Sequence, residues 1–93
     1  MRTIKYTARF KRDYRREQSG THAKSLDGDL LAVVALLAAD KPLPRRNFDH
    51  PLSGDWKDHR DCHIRPDLVL IYRKPDDANL ELVRLGSYSE LSL

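Results

Sequence analysis

The order of hydrophobic patterns predicts an α+β fold: one strand, two helices, then a three-strand antiparallel meander, with both helices packed on one face of the sheet. Three observations predict it. A β-branched and aromatic N-terminal stretch leads straight into helical spacing, the run Leu30–Ala39 supplies the broadest apolar face in the chain, and three apolar segments near the C-terminus are joined by connections too short for a crossover. With 93 residues the chain is expected to form one core, a single domain over 1–93, so any site must share the fold's own sheet and loops.

Residues 2–6, Arg-Thr-Ile-Lys-Tyr, have strand composition, and Thr7 stands where a helix N-cap would. A helix over 8–18 follows; its sparse apolar positions, Ala8, Phe10 and Tyr14, predict a narrow buried stripe, and Ser19-Gly20-Thr21 ends it. Ser25 or Asp27 caps a second helix running to about Ala39, with Leu30, Leu31, Val33, Val34, Leu36 and Leu37 turned to the core. Asp40-Lys41-Pro42 stops it, because proline lacks the amide donor and restricts the residue before it. From 41 to about 58 three prolines and Ser53-Gly54-Asp55 predict a long ordered loop, the kind of segment that tends to carry function. Strands are expected at 60–65, 68–73 and 80–85.

Hydrophobic residues at 40% and charged ones at 33% exclude wholesale disorder. Seventeen Lys and Arg against fourteen Asp and Glu leave a net charge of +3, but the bases cluster: Lys11, Arg12, Arg15 and Arg16 near the start, and Arg45 with Arg46 in the loop. Any one cluster is what a solvated helix face shows; two of them flanking a polar centre suit a polyanion. The longest apolar run is too short to span a bilayer and the N-terminus has no apolar leader, so a cytoplasmic protein without a membrane partner is expected. The single cysteine, Cys62, has no internal disulfide partner, which fits a reducing compartment.

Strand alternation over 60–65 puts Cys62 and Ile64 on one face and Asp61, His63 and Arg65 on the other. Cys62 is then a core residue, and His63 points to the open face, where Asp67 and the loop residue His50 could approach it. Zinc is the first rival, since His50, His59, Asp61, Cys62, His63 and Asp67 are all possible ligands. Their spacing matches no compact ligand pair, so no metal is expected. The set suits metal-free RNA cleavage better: a base takes the proton from a 2′-hydroxyl, cations steady the phosphate and an acid protonates the leaving oxygen. Histidine serves either proton-transfer role because its unperturbed pKa is about 6.5. Trp56 is expected to anchor the loop by burying its ring.

The segments Asp49-His50-Pro51-Leu52, Gly54-Asp55-Trp56-Lys57, Arg60-Asp61-Cys62-His63 and Pro66-Asp67-Leu68-Val69-Leu70-Ile71-Tyr72 strongly resemble the YafQ-type toxins of the RelE superfamily, and the match continues into Arg84-x-Gly86-Ser87. The order of strands and helices is also that of the RelE-like fold. The resemblance implies a ribosome-dependent endoribonuclease that cuts mRNA in the A site without metal or other cofactor and leaves a 2′,3′-cyclic phosphate. By position it implies catalytic roles for His50, His63 and Asp67 and a phosphate contact for Arg84. Asp67 or His50 would be the general base and His63 a positioning or phosphate-stabilising group. Lys11, Arg12, Arg15, Arg16, Arg45, Arg46 and Lys57 are the candidates for contact with the ribosomal RNA backbone.

The C-terminus departs from that pattern: Tyr88 stands where the family has a histidine taken as the general acid, and Ser92 where it has a phenylalanine. Tyrosine, with an unperturbed pKa near 10, is protonated at neutral pH and can donate. Tyr88 is thus a working acid, a base-stacking residue, the mark of a weakened enzyme or an aromatic that anchors the C-terminal tail on the sheet, with the acid favoured. The resemblance further implies a cognate antitoxin, in an assembly of two toxins and two antitoxins. The alternatives are a ParE-like gyrase poison on the same scaffold and an RNA-binding domain that has lost catalysis.

Overall fold

Thr7 marks the point where the first strand becomes a helix. Its hydroxyl accepts a hydrogen bond from Phe10 N at 3.0 Å, capping the helix, and donates to Val83 O at 2.7 Å, tying that cap to the sheet. In the computed structural model, which describes residues 1–93, β1 is Thr3–Tyr6 and α1 is Ala8–Gln18, and α2 is Leu26–Ala38. Then come β2 (His50–Pro51), β3 (Arg60–Arg65), β4 (Leu68–Arg73), β5 (Asn79–Gly86) and α3 (Tyr88–Leu91), with 3₁₀ turns at Arg45–Asn47 and Gly54–Trp56. The sheet order is β1-β5-β4-β3-β2; β1 runs parallel to β5 and every other pair is antiparallel.

Both long helices cover one face, as expected. Phe10 of α1 and Leu26, Leu30, Val33, Val34 and Leu37 of α2 pack on Cys62, Leu70, Leu80, Leu82 and Leu85. The opposite face carries a smaller cluster of Val69, Ile71, Val83 and Leu91, on which Leu52 and Trp56 lie half-buried. β4 is therefore buried on both faces, which is why Leu68–Tyr72 reads as an unbroken apolar run instead of an alternation. Two residues separate Leu82 from Leu85, yet both reach the helix-side core, because a bulge opposite Ile71 and Tyr72 makes Val83 an extra residue on β5.

Several expectations need correction. The stretch from 41 to 58 is not loop throughout: His50–Pro51 pairs with β3, and two 3₁₀ turns give the rest its shape. The expected N-terminal strand, β1, pairs with β5, and it is β2 at the other edge that makes the sheet five-stranded. Tyr88–Leu91 forms a short helix held by a capping box, in which Ser87 Oγ accepts from Glu90 N and the Glu90 carboxylate accepts from Ser87 N. On α1 the second buried residue is Asp13, not Ala8, which is exposed; on α2, Leu31 is 67% exposed. Ser25 occupies the N-cap of α2, but its hydroxyl turns back to His22 O and caps no amide.

β1 is shorter than β5, and past Leu82 the edge of β5 is satisfied by side chains instead of a strand. Thr7 donates to Val83 O, Leu85 N donates to Asp13 Oδ2 at 3.0 Å, and Arg16 Nη2 donates to Leu85 O at 2.8 Å. Gly86 leaves room for this: a Cβ there would lie 2.7 Å from Arg16 Nη2.

Candidate active site

Strand alternation on β3 sends Asp61 and His63 away from the helices, as expected. Pairing then brings in the rest, because His50 of β2 sits opposite Asp61 in the register and Tyr88 opens α3 directly after β5. Buried Asn47 fixes the approach of the loop, its amide donating to His63 O at 2.7 Å.

Carbonyl contacts settle which ring nitrogens carry hydrogen. His63 Nδ1 lies 3.2 Å from Pro66 O, an acceptor only, so Nδ1 donates, and in the neutral ring Nε2 accepts the Tyr88 hydroxyl at 2.7 Å. Protonating His63 reverses that bond: Nε2–H donates to the phenol oxygen and frees the phenolic hydrogen for another acceptor. His50 Nδ1 likewise donates to Phe48 O at 2.7 Å, so the neutral ring presents Nε2 as a base.

Asp61 is the residue that sequence reasoning placed on this face without giving it a role. It is 1% exposed, and neither oxygen accepts a hydrogen bond; His50 Nδ1 is 3.1 Å from Oδ1, but its N–H aims at Phe48 O. Burial pushes the carboxyl above the usual range, with His50 and His63 pulling part of the way back. Burial and the charge of Asp61 also push the Tyr88 phenol up.

The structure does not bring Asp67 to His63. It sits in the turn between β3 and β4, and its Oδ1 accepts from His22 Nε2 at 2.6 Å, while Arg65 pairs with Asp29 at 2.6 Å; together the two contacts hold the hairpin to the start of α2. A cleft of about 210 Å³ beside His63 is lined by Arg46, Asn47 and Arg65. Arg84 donates from Nε and Nη2 to the carboxylate of Asp13 at 2.7 and 3.2 Å. It lies with Arg9, Arg12 and Arg16 around a second cleft of about 390 Å³. Lys11 and Arg15 point elsewhere, to the rim of an apolar groove of about 700 Å³ between α1 and α2, floored by Ile4, Phe10, Leu30 and Val34. Arg45 and Lys57 are exposed on the loop. Trp56 is half-buried against the small cluster, the anchoring role expected of it, and Cys62 lies fully in the core with its thiol pushed up by burial. No three of the His, Cys, Asp and Glu side chains converge as a metal-ligand set.

Fold and site together define a small α+β protein whose sheet carries a polar cluster of two histidines, a tyrosine and a buried carboxylate, with arginines lining the adjoining cleft. The chain belongs to the YafQ family, bacterial toxins of type II toxin–antitoxin systems, whose family model matches residues 2–93. It is 33% identical over 90 residues to the mRNA interferase toxin YafQ of Escherichia coli strain K12, covering 97% of this chain and 95% of that protein. The crystal structure of the E. coli DinJ–YafQ toxin–antitoxin complex superposes with a TM-score of 0.82 at 35% identity, over 97% of this chain and 96% of that one. A metal-bound toxin from Helicobacter pylori matches with a TM-score of 0.82 at 40% identity, over 98% and 99%.

Proposed function

We propose that this toxin is an endoribonuclease that cuts mRNA in the ribosomal A site, without metal, by attack of a ribose 2′-oxygen on the adjacent phosphodiester. The observation that carries this is the 2.7 Å contact between His63 Nε2 and the Tyr88 hydroxyl, a built acid in place of the family histidine. His50 Nε2 takes the 2′-hydroxyl proton, O2′ bonds to phosphorus and the P–O5′ bond breaks, leaving a 2′,3′-cyclic phosphate. Tyr88 gives its proton to O5′ and recovers one from protonated His63, so the cycle ends with His50 charged and His63 neutral. Asp61 stabilises the imidazolium of His50 once it forms. Arg65 is committed to Asp29, which leaves Arg46 as the cation in the cleft for the phosphate. Asp67 sits in the β3–β4 turn, bonded to His22 and not to His63, so the base role falls to His50.

The toxin's partner is a cognate antitoxin, in an assembly of two copies of each chain. The groove between α1 and α2, apolar on its floor and basic at Lys11 and Arg15 on its rim, fits an acidic amphipathic segment. Ribosomes as the target imply a cytoplasmic protein; no helix is long and apolar enough to cross a membrane. Arg12 with Arg84, and Arg45 with Lys57, are the candidate contacts to ribosomal RNA.

Programmed ribosomes incubated with wild type, His63→Ala and Tyr88→Phe test the mechanism. Wild type should cut in the A site with EDTA present and leave cyclic phosphate ends, and Tyr88→Phe should be slower by roughly 10²–10⁴, the usual contribution of one general acid. Undiminished cleavage by Tyr88→Phe would remove the acid from this scheme; no cleavage by wild type would sink the nuclease and make gyrase supercoiling the next assay.

A further inference from the structure

We infer that Phe48 is the platform on which a nucleobase of the bound RNA stacks, an inference that rests on the RNA substrate proposed above. Four observations converge on this residue. The residue is 64% exposed, the kind of apolar exposure that a folded chain tolerates where something binds. Its backbone is left-handed at φ 44° and ψ 48°, a conformation that costs a non-glycine residue energy and persists where the surroundings impose it. What imposes it is the site itself: Asn47, one residue before, is locked to His63 O, and the carbonyl of Phe48 accepts the Nδ1–H of His50. Finally, the ring centroid lies 5.5 Å from that of His63, which meets it edge-on at 60° while Tyr88 meets His63 from 5.4 Å. The ring is thus held at the mouth of the proton-transfer cluster with most of its surface free.

A base seated on Phe48 would bring its own ribose and phosphate within reach of His50 and His63, coupling recognition to chemistry through one backbone carbonyl. Stacking is tolerant of base identity because every base has a π-face, so this contact selects a splayed, unpaired nucleotide and not a sequence. It also gives the site an aromatic surface although position 92, where the family has phenylalanine, is serine here.

The test compares Phe48→Leu, Phe48→Tyr and Phe48→Trp for mRNA cleavage on programmed ribosomes, with thermal melts to establish that each variant folds. Phe48→Leu keeps the apolar bulk and removes the π-face; it should lower kcat/KM by roughly 5- to 150-fold, the range for one base stacked on one aromatic ring. Tyr and Trp should stay within about threefold of wild type, since both stack. Leu equal to wild type, in an assay where His63→Ala is dead, would overturn the stacking role alone and leave the exposed ring to a protein partner. An equal loss in all three would overturn it too, by showing that shape and not stacking matters. If wild type and every variant leave the mRNA intact, the nuclease reading fails and this inference with it.

Discussion

Replacing Asp13 with alanine should remove a large part of the stability of this fold, although Asp13 bonds to none of His50, Asp61, His63 and Tyr88. Its side chain is 5% exposed and its carboxylate accepts from Arg84 Nε and Nη2, Arg16 Nη1 and Leu85 N, at 2.7, 3.2, 3.1 and 3.0 Å. Truncation leaves the Leu85 amide without a partner, worth about 1–3 kcal/mol, within a total of roughly 3–5 kcal/mol for stripping the counter-ion from a largely buried Arg84. A domain of this size has about 5–15 kcal/mol in all, so the melting temperature should fall by roughly 15–30 °C. Urea titration followed by circular dichroism measures this directly. Arg84→Leu, added to Asp13→Ala, should restore part of the loss, because neither charge then remains buried alone. A single-variant loss under about 1 kcal/mol, or further damage from the second substitution, would refute the account.

The pH dependence follows with its sign. Burial raises the Asp13 pKa, but the bonds from Arg84 and the Leu85 amide and the charge of Arg16 outweigh it, so the group sits below 3.8 in the folded chain. A carboxylate depressed by folding contributes fully above its unfolded pKa and loses that contribution as pH falls through the folded one. The stability gap between wild type and Asp13→Asn should therefore be constant near neutrality and close below about pH 3.8.

Asp61→Asn should act in the opposite direction on stability: removing a buried charge with no hydrogen-bonded partner should stabilise the fold by about 1–3 kcal/mol at neutral pH while slowing mRNA cleavage. A variant less stable than wild type in the same urea titration would show that Asp61 is satisfied after all. Cys62, fully buried with its thiol pushed up by burial, should resist a thiol-specific chromogenic reagent in the native protein and react at once in urea. Rapid native labelling would mean that β3 opens locally.

Wherever one face of an element is apolar, the fold was legible. Helix bounds at Ala8–Gln18 and Leu26–Ala38 and the strands of the meander follow from periodicity and turn residues, and Cys62 against His63 follows from alternation. Elements too short to have a period were not: β2 is two residues and α3 four, and each is held by tertiary partners or by a cap. The site divides the same way. Alternation places His63, whereas His50 was expected in a loop and only the pairing of β2 with β3 sets it opposite Asp61. Asp67 sits 45 residues from His22, and nothing in the spacing of a turn aspartate announces a linker histidine as its partner. Burial of Asp61 escaped notice because an aspartate on an open face is ordinarily solvated, and here β2 and Tyr88 close over it. The strain and exposure of Phe48 are properties of backbone angles that no residue type encodes.

The way α1 closes the edge of β5 bears on what happens when such a toxin is released from its antitoxin. A bare strand edge is a template on which another chain can add itself. Here one end of the sheet offers four residues of β1, and beyond them every group on β5 that could greet a newcomer is already taken by Thr7, Asp13 or Arg16. The other end offers two residues, one of them Pro51, which has no amide to give. A second copy seeking to add itself to the sheet would find four residues of β1 at one end and two of β2 at the other, a short template at either edge.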